Sequence, residues 1–364
     1  MLMPVEKQRV TIEDRMGGRD NHFNLIRFVA ALAVLVTHSF ALSSGHRENQ
    51  PLWTTYGMTP GSIAVDVFFV TSGFLVCHSL FSRQNLLEFA AARALRILPA
   101  LWVVLAITVV LVGPTLTTLN LGDFARSHET WRYVIKNASI VSGMAPTLPG
   151  VFEHNAMARL VNSSLWTLYH EVWLYACLCT YWILAGLIWN RRVPWVSRLI
   201  LLSCFVAAVL TVYSRLTGWH YQWPRLAFAF FTGASFYVLR GKIKLSGVTA
   251  CVLALALTIA SVQRDVFYVV YSAAVGYLVL FAAYARATPL LAFNRLGDYS
   301  YGVYIYGFLV QQLLVNAFPG IGTGPLMAAS IIATLVCGMA SWHLIEKPAL
   351  SKKAWVSARI NPSR

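Results

Sequence analysis

The sequence predicts an all-α fold: a polytopic membrane helix bundle of about ten transmembrane helices, with both termini cytoplasmic. Three observations predict it. Of the 364 residues, 57% are hydrophobic and 12% charged, whereas a soluble domain carries roughly 25% charged residues. Apolar runs of about 20 residues, the length that crosses the hydrocarbon core, recur along the whole chain. The Lys and Arg residues between those runs alternate in density from one break to the next, as the positive-inside rule requires.

The predicted spans lie near 23–43, 62–81, 94–113, 165–188, 199–214, 224–239, 247–263, 266–285, 299–317 and 325–345. The first follows a polar segment, 1–22, that holds Lys7, Arg9, Arg15 and Arg19. No small-residue cleavage site ends that first run, so it reads as a retained span and not as a signal peptide. Spans five to eight are joined by short links. Of the 29 Lys and Arg, 20 fall in the N-terminus, the C-terminus and alternate breaks, against 8 in the opposite set; an odd number of spans would destroy this pattern. The chain therefore divides into an N-terminal cytoplasmic segment (1–22), a transmembrane domain (23–345) and a cytoplasmic tail (346–364). One long connection, 114–164, lies outside. It is long enough to fold over a site as a lid.

The net charge of +15 raises the question of nucleic acid. The basic residues sit in short breaks between apolar runs and form no face or tail, so no nucleic-acid partner is expected. The six cysteines all fall inside apolar runs without zinc-ligand spacing. Cys177 and Cys179 point about 200° apart on a helix. They read as small packing residues, and no metal is expected.

Charged groups inside spans are costly and mark function by default. Arg27 and His38 in the first span are close to three helical turns apart, so they share a face, separated by a rise of about 16 Å. Arg27 lies at the cytoplasmic end, where snorkelling to headgroups is the plain alternative. His38 lies in the outer half, where hydrogen-bonded packing is the alternative. The fourth span opens Trp166-Thr167-Leu168-Tyr169-His170-Glu171 after the long loop. Glu171 sits two turns in, about 9 Å below the outer boundary, at a depth similar to that of His38. An imidazole suits removal of a hydroxyl proton, and a carboxylate can hold its tautomer. Asp66 opens the second span, either as a cap for the helix start or as a functional carboxylate. Ser72 and Gly73 are small enough for close helix packing. Arg93 and Arg96, three apart on one helix face before the third span, are either topology charges or a clamp for the phosphates of an anionic cofactor.

These segments together resemble the acyltransferase-3 family of integral membrane O-acyltransferases. The resemblance rests on Arg27 to His38, on Phe68 to Leu75 with its Ser72-Gly73-Phe74-Leu75, and on Arg93-Ala94-Leu95-Arg96-Ile97-Leu98-Pro99. It continues in Trp166 to Glu171, in Leu296-Gly297-Asp298-Tyr299-Ser300-Tyr301 and in Glu346-Lys347-Pro348, in family order across about residues 22–350. One departure is Gly307, where many relatives carry a His after Ser-Tyr-x-x-Tyr; His38 is left as the better candidate for the imidazole.

The resemblance implies transfer of an acyl group, most often acetyl, from acyl-CoA (acetyl-CoA) to a carbohydrate hydroxyl of polysaccharide, lipopolysaccharide or a lipid-linked saccharide, in the bacterial inner membrane. The catalytic pair is then His38 and Glu171. The nucleotide docks near Arg93 and Arg96 with help from Arg27, and its pantetheine arm runs up between helices. Asp66, Ser72, Trp166, Tyr169 and Tyr301 are candidates for substrate or oxyanion contacts. A transporter or flippase for a polar solute is the alternative, since intramembrane charges suit it equally.

Overall fold

The computed structural model describes residues 10–17, 20–189, 192–219, 221–286 and 288–360. Lys7, Arg9 and Arg19 of the N-terminal basic segment, and the last four residues of the tail, lie outside them. Among the described residues the chain is helical without strands, and each predicted span falls on a helix. These are α1 (Phe23–Ser44), α2 (Pro60–Arg83), α3 (Leu86–Ile107), α5 (Trp166–Ile188), α6 (Arg192–Thr217), α7 (Trp223–Val238), α8 (Gly247–Ala260), α9 (Arg264–Ala283), α10 (Ser300–Ala317) and α11 (Thr323–Ser341). Two more helices matter below: α4 (His128–Ser139), in the long connection, and α12 (Lys353–Ile360), at the end.

Among the described residues, seven helices are long and apolar enough to cross a membrane: α1, α2, α3, α5, α6, α9 and α11. The chain is a multi-pass membrane protein. Helices α7 and α8 have only 16 and 14 residues. Helix α10 has 18 and carries Gln311 and Gln312, both fully buried. A helix surrounded by protein needs no apolar exterior.

Local chemistry explains the starts. Thr59 and Ser62 form a capping box ahead of α2, with Pro60 at the first helical position. The Asn85 side chain accepts from the Leu87 and Glu88 backbone N–H groups. That cap starts α3 eight residues before the predicted span. It continues through a π-helical turn, Thr108–Val112, into one rod, Leu86–Leu116. Arg93 and Arg96 consequently sit within the helix and not in the break before it.

The chain forms two compact units. The first comprises Met1–Ile26, Asp66–His78 and Leu184–Leu296. Here α2 and α7 cross closely enough that a Cβ added to Gly73 would overlap the Phe230 carbonyl, and one on Gly233 the Val70 carbonyl, the packing expected of small residues in a membrane. Rings of Phe23, Phe74, Tyr237 and Tyr284 fill the neighbouring space.

The second unit comprises Arg27–Val65, Ser79–Ile183 and Gly297–Arg364, with the nearly fully buried α10 as its core. Most polar groups of α10 are matched, as burial demands, although Gln311 Oε1 is buried without a partner among the described residues. Gln311 Nε2 donates to the Leu35 carbonyl and to Ser39 Oγ, both at 2.8 Å. Gln312 receives a bond from Asn155 at 2.8 Å and donates to the Met157 and Leu160 carbonyls. Asn162 donates to the Ile305 carbonyl at 2.7 Å. The long connection is therefore anchored on α10 at Ile305 and Gln312, on either side of Phe308.

Candidate active site

The second unit gathers charge from four separated stretches of sequence. Arg96 Nη2 donates to Asp298 Oδ2 in a short bond, and its Nη1 lies 3.5 Å from Glu346 Oε2. Arg27 Nη1 lies 3.9 Å from the same Asp298 oxygen. Asp298 Oδ1 accepts from the Ser300 hydroxyl at 2.5 Å and the Ser300 backbone N–H at 3.3 Å. Ser341 donates to Glu346 at 2.9 Å. The Arg96 guanidinium also lies 5.9 Å and 6.0 Å from the ring centroids of Tyr301 and Trp342. Buried ions persist when paired and hydrogen-bonded, and every carboxylate oxygen here has a donor or a cation. Burial alone would push the Asp298 carboxyl up. Arg96, then Arg27 and the two Ser300 bonds, outweigh it and hold the group at about 2.

Arg93 takes a different direction from Arg96, although both were expected on one face. It lines a groove between α3 and α5 and lies within electrostatic reach of Tyr175, Arg96, Glu171 and Arg27. The Tyr175 hydroxyl donates to Glu171 Oε1 in a short bond. The charge of Glu171 also reaches Tyr301 and Tyr304. Arg27, Arg93, Arg96 and Glu171 thus belong to one charged neighbourhood, into which Tyr301 also projects.

His38 is half-buried on α1. Its ring meets Phe308 edge-on, with centroids 5.2 Å apart and planes at 83°. Its Nδ1 is buried and has no hydrogen-bond partner among the described residues. Helix α10 provides the scale that relates these groups. Tyr301, Tyr304, Phe308 and Gln311 follow helical spacing along one face. Tyr301 donates to the Ile97 carbonyl at 2.8 Å beside the Arg96 cluster. Tyr304 shares a 2.7 Å bond with Thr167, one turn before Glu171 on α5. Phe308 carries His38. The helices bearing the predicted base and carboxylate therefore pack on α10 at adjacent turns. The charged cluster and the imidazole lie along α10 about 10 Å apart in rise.

The remaining predicted residues are placed as follows. Trp166 and Tyr169 both stack edge-on against His170, each at 5.3 Å between centroids. Asp66 and Ser72 belong to the first unit. Asp66 is no helix cap, since Thr59 holds that position. It lies about two turns further in, accepts from Tyr271 at 3.0 Å and pairs with Arg225 at 3.5 Å. Three residues of the cluster had been given no role. Asp298 and Glu346 stood in motifs, and Tyr175 carried a signal in its i,i+4 spacing from Glu171.

The long connection reaches into this region. The end of α4 meets the middle of α3 and α5. The Trp102 indole donates to the Ala138 carbonyl at 3.3 Å, and the Trp173 indole to the Val141 carbonyl at 3.0 Å. Carbonyls at and just beyond a helix end need partners. Two indoles supply them here. The Asn137 side chain closes the turn beyond, exchanging bonds with Ala145 at 2.9 and 3.1 Å.

The profile of the acyltransferase-3 family, described as an acyltransferase domain, matches residues 20–343. The chain belongs to the acyltransferase-3 family. Three relatives extend the comparison of this acyltransferase. An O-acetyl transferase of Shigella phage Sf6 is 32% identical over 354 residues, covering 92% of this chain and 98% of its own length. Nodulation protein 10 of Rhizobium leguminosarum bv. viciae is 27% identical over 372 residues, 95% of this chain and 97% of the relative. Exopolysaccharide production protein ExoZ of Rhizobium meliloti (strain 1021) is 26% identical, covering 82% and 92%. No solved structure matches the chain. The acyltransferase has a base candidate, a carboxylate and a group of cations within one unit, the three kinds of side chain that acyl transfer from an anionic donor requires.

Proposed function

We propose that this acyltransferase moves an acetyl group from acetyl-CoA to a hydroxyl of a cell-envelope or exported carbohydrate, in the inner membrane of a bacterium. The observation that carries the reading is the succession along α10 of the Arg96 cluster, the helix of Glu171 and the imidazole of His38. The relatives support the substrate classes, one being named an O-acetyl transferase and another an exopolysaccharide production protein.

In this reading Arg27 and Arg96 meet the phosphates at the cytoplasmic side, where guanidinium geometry matches phosphate oxygens. The rise of about 10 Å to the level of His38 is spanned by the pantetheine arm. His38 takes the proton from the acceptor hydroxyl. The oxygen attacks the thioester carbonyl, the C–S bond breaks, and the proton passes from the imidazolium to the departing CoA sulfur. Glu171, held by Tyr175, stabilises the charge that develops. Trp166, Tyr169 and Tyr301 are candidates to support the oxyanion. The long connection is anchored at Ile305 and Gln312, on either side of the Phe308 that packs on His38, in keeping with a lid. A transporter would leave the acyltransferase family membership without a purpose.

The test has two arms. Surface glycans from cells with and without the gene are compared by mass spectrometry. A loss of one acetyl mass per modified site is expected on deletion, and an unchanged profile of glycans and exported saccharides counts against the reading. His38→Ala is expected to fold and to lower transfer by about 10²–10⁴-fold, the usual worth of a general base. Normal transfer by that variant ends the role of His38.

A further inference from the structure

The groove between α3 and α5 has a volume of about 310 Å³. It exists because small side chains line up at helical spacing: Ala90 and Ala94 on α3 face Ala176 on α5, and Ile140 closes one end. Its rim opens sideways. Ala90 and Ala176 are exposed, and the flanking Leu87, Trp102 and Trp173 are 68%, 53% and 43% exposed. Large apolar side chains at a rim of this kind face lipid.

The groove is not uniformly apolar. Arg93 lines it together with Tyr175, and the Arg93 Nε–H is buried without a hydrogen-bond acceptor among the described residues. Side chains on a helix lean towards its N-terminus, so the guanidinium sits over the start of α3. There Lys353 of α12 lies within electrostatic reach of Arg93 and Arg83. Glu88, 3.4 Å from Arg83, pairs with it. One end of the groove is thus cationic, its walls are hydrocarbon, and its opening faces the bilayer.

We propose that the groove holds one acidic glycerophospholipid. Its phosphate lies on Arg93, and one fatty chain lies between Ala94 and Ala176 towards Ile140. Charge complementarity selects the occupant: two cations at one end favour a lipid with net negative charge over a zwitterionic one. A guanidinium has five N–H donors, so a phosphate on one edge of Arg93 leaves the other edge to Tyr175 and Glu171. The lipid then fixes a cation that stands within electrostatic reach of the predicted carboxylate. The inference concerns a binding site and does not depend on which acyl group or acceptor the protein uses.

The full chain is reconstituted in phosphatidylcholine nanodiscs containing a minority of phosphatidylglycerol and extracted into mild detergent. Native mass spectrometry then counts the lipid that stays bound. One phosphatidylglycerol per chain is expected, in preference to phosphatidylcholine. Ala176→Trp at the rim and Ala94→Trp within fill the groove, and Arg93→Gln removes the cation. Each is expected to lower phosphatidylglycerol occupancy about tenfold or more, the factor that corresponds to one good charged contact. Retention of phosphatidylcholine equal to phosphatidylglycerol, no retained lipid, or full retention by the filled variants would overturn the proposal. If Ala94→Trp fails to fold, the comparison of the two lipids on the unsubstituted protein decides alone.

Discussion

Arg96 and Asp298 are 202 positions apart in the chain and share a short, nearly buried hydrogen bond. The bond ties the third helix to the turn before α10, and Glu346 completes the arrangement from beyond α11. Three sequence motifs therefore meet at one guanidinium. The meeting fixes three helices relative to one another, which is a structural duty as much as a chemical one.

Removing one partner of such a pair leaves a buried charge uncompensated, at about 3–5 kcal/mol. Arg96→Ala and Asp298→Ala are each expected to lower the thermal midpoint of the detergent-solubilised protein strongly. Together they should cost less than the sum of the single effects, because Arg96 and Asp298 then no longer strand each other. Additive losses would show that the two side chains do not act as a pair.

The acid side of the stability profile carries the same signature. The folded carboxyl of Asp298 is held at about 2, below the ordinary Asp value of about 3.9. A depressed folded pKa gives stability that is fully present above the unfolded value and is lost as pH falls through the folded one. The thermal midpoint should therefore lose this contribution between about pH 4 and pH 2. Asp298→Asn should lack that component of the decline. An identical acid profile in that variant would refute the assignment.

Tyr175 is expected to act through Glu171. Tyr175→Phe keeps the ring against Phe89, 6.5 Å between centroids, and deletes only the donor. Transfer should fall about tenfold, the equivalent of roughly 1.4 kcal/mol for one charge-assisted bond. The pH dependence of kcat should shift, while KM for the donor stays unchanged. A stability loss with an unaltered pH profile would make the tyrosine a packing residue only.

The crossing of α2 and α7 tolerates no side chain. Gly73→Ala and Gly233→Ala are each expected to destabilise by about 1–3 kcal/mol, the cost of overpacking a close contact. Gly143→Ala, where an added Cβ meets nothing within 4 Å, should be milder, although its positive φ of 86° adds strain. Thermal unfolding of the three variants in one detergent checks the order.

Much of this molecule was legible in its sequence. Every predicted span is helical, because apolar length is a local property. The close-packing role of Gly73 followed from residue size alone. The partners of Arg96 were not legible, since Asp298 and Glu346 reach it through tertiary packing and no spacing rule links them. The separate directions of Arg93 and Arg96 were also hidden. Three residues turn a helix by about 300°, and only the rotation of α3 in its setting decides which neighbour each side chain meets. Helix α10 illustrates the opposite difficulty. It is enclosed by protein, so its Gln311 and Gln312 can be polar and its hydropathy understates its burial.

The four bonds from Trp102, Trp173 and Gln312 to the outer segment all end on main-chain carbonyls: those of Ala138, Val141, Met157 and Leu160. At these four points the scaffold grips the segment by its peptide groups, whatever side chains stand there, while Asn155 and Asn162 add side-chain anchors of their own. Ala138, Val141, Met157 and Leu160 can therefore be replaced without removing any of these four bonds. Exchanging the segment between homologues is thus a natural way to redirect the enzyme to a new glycan without rebuilding its interior.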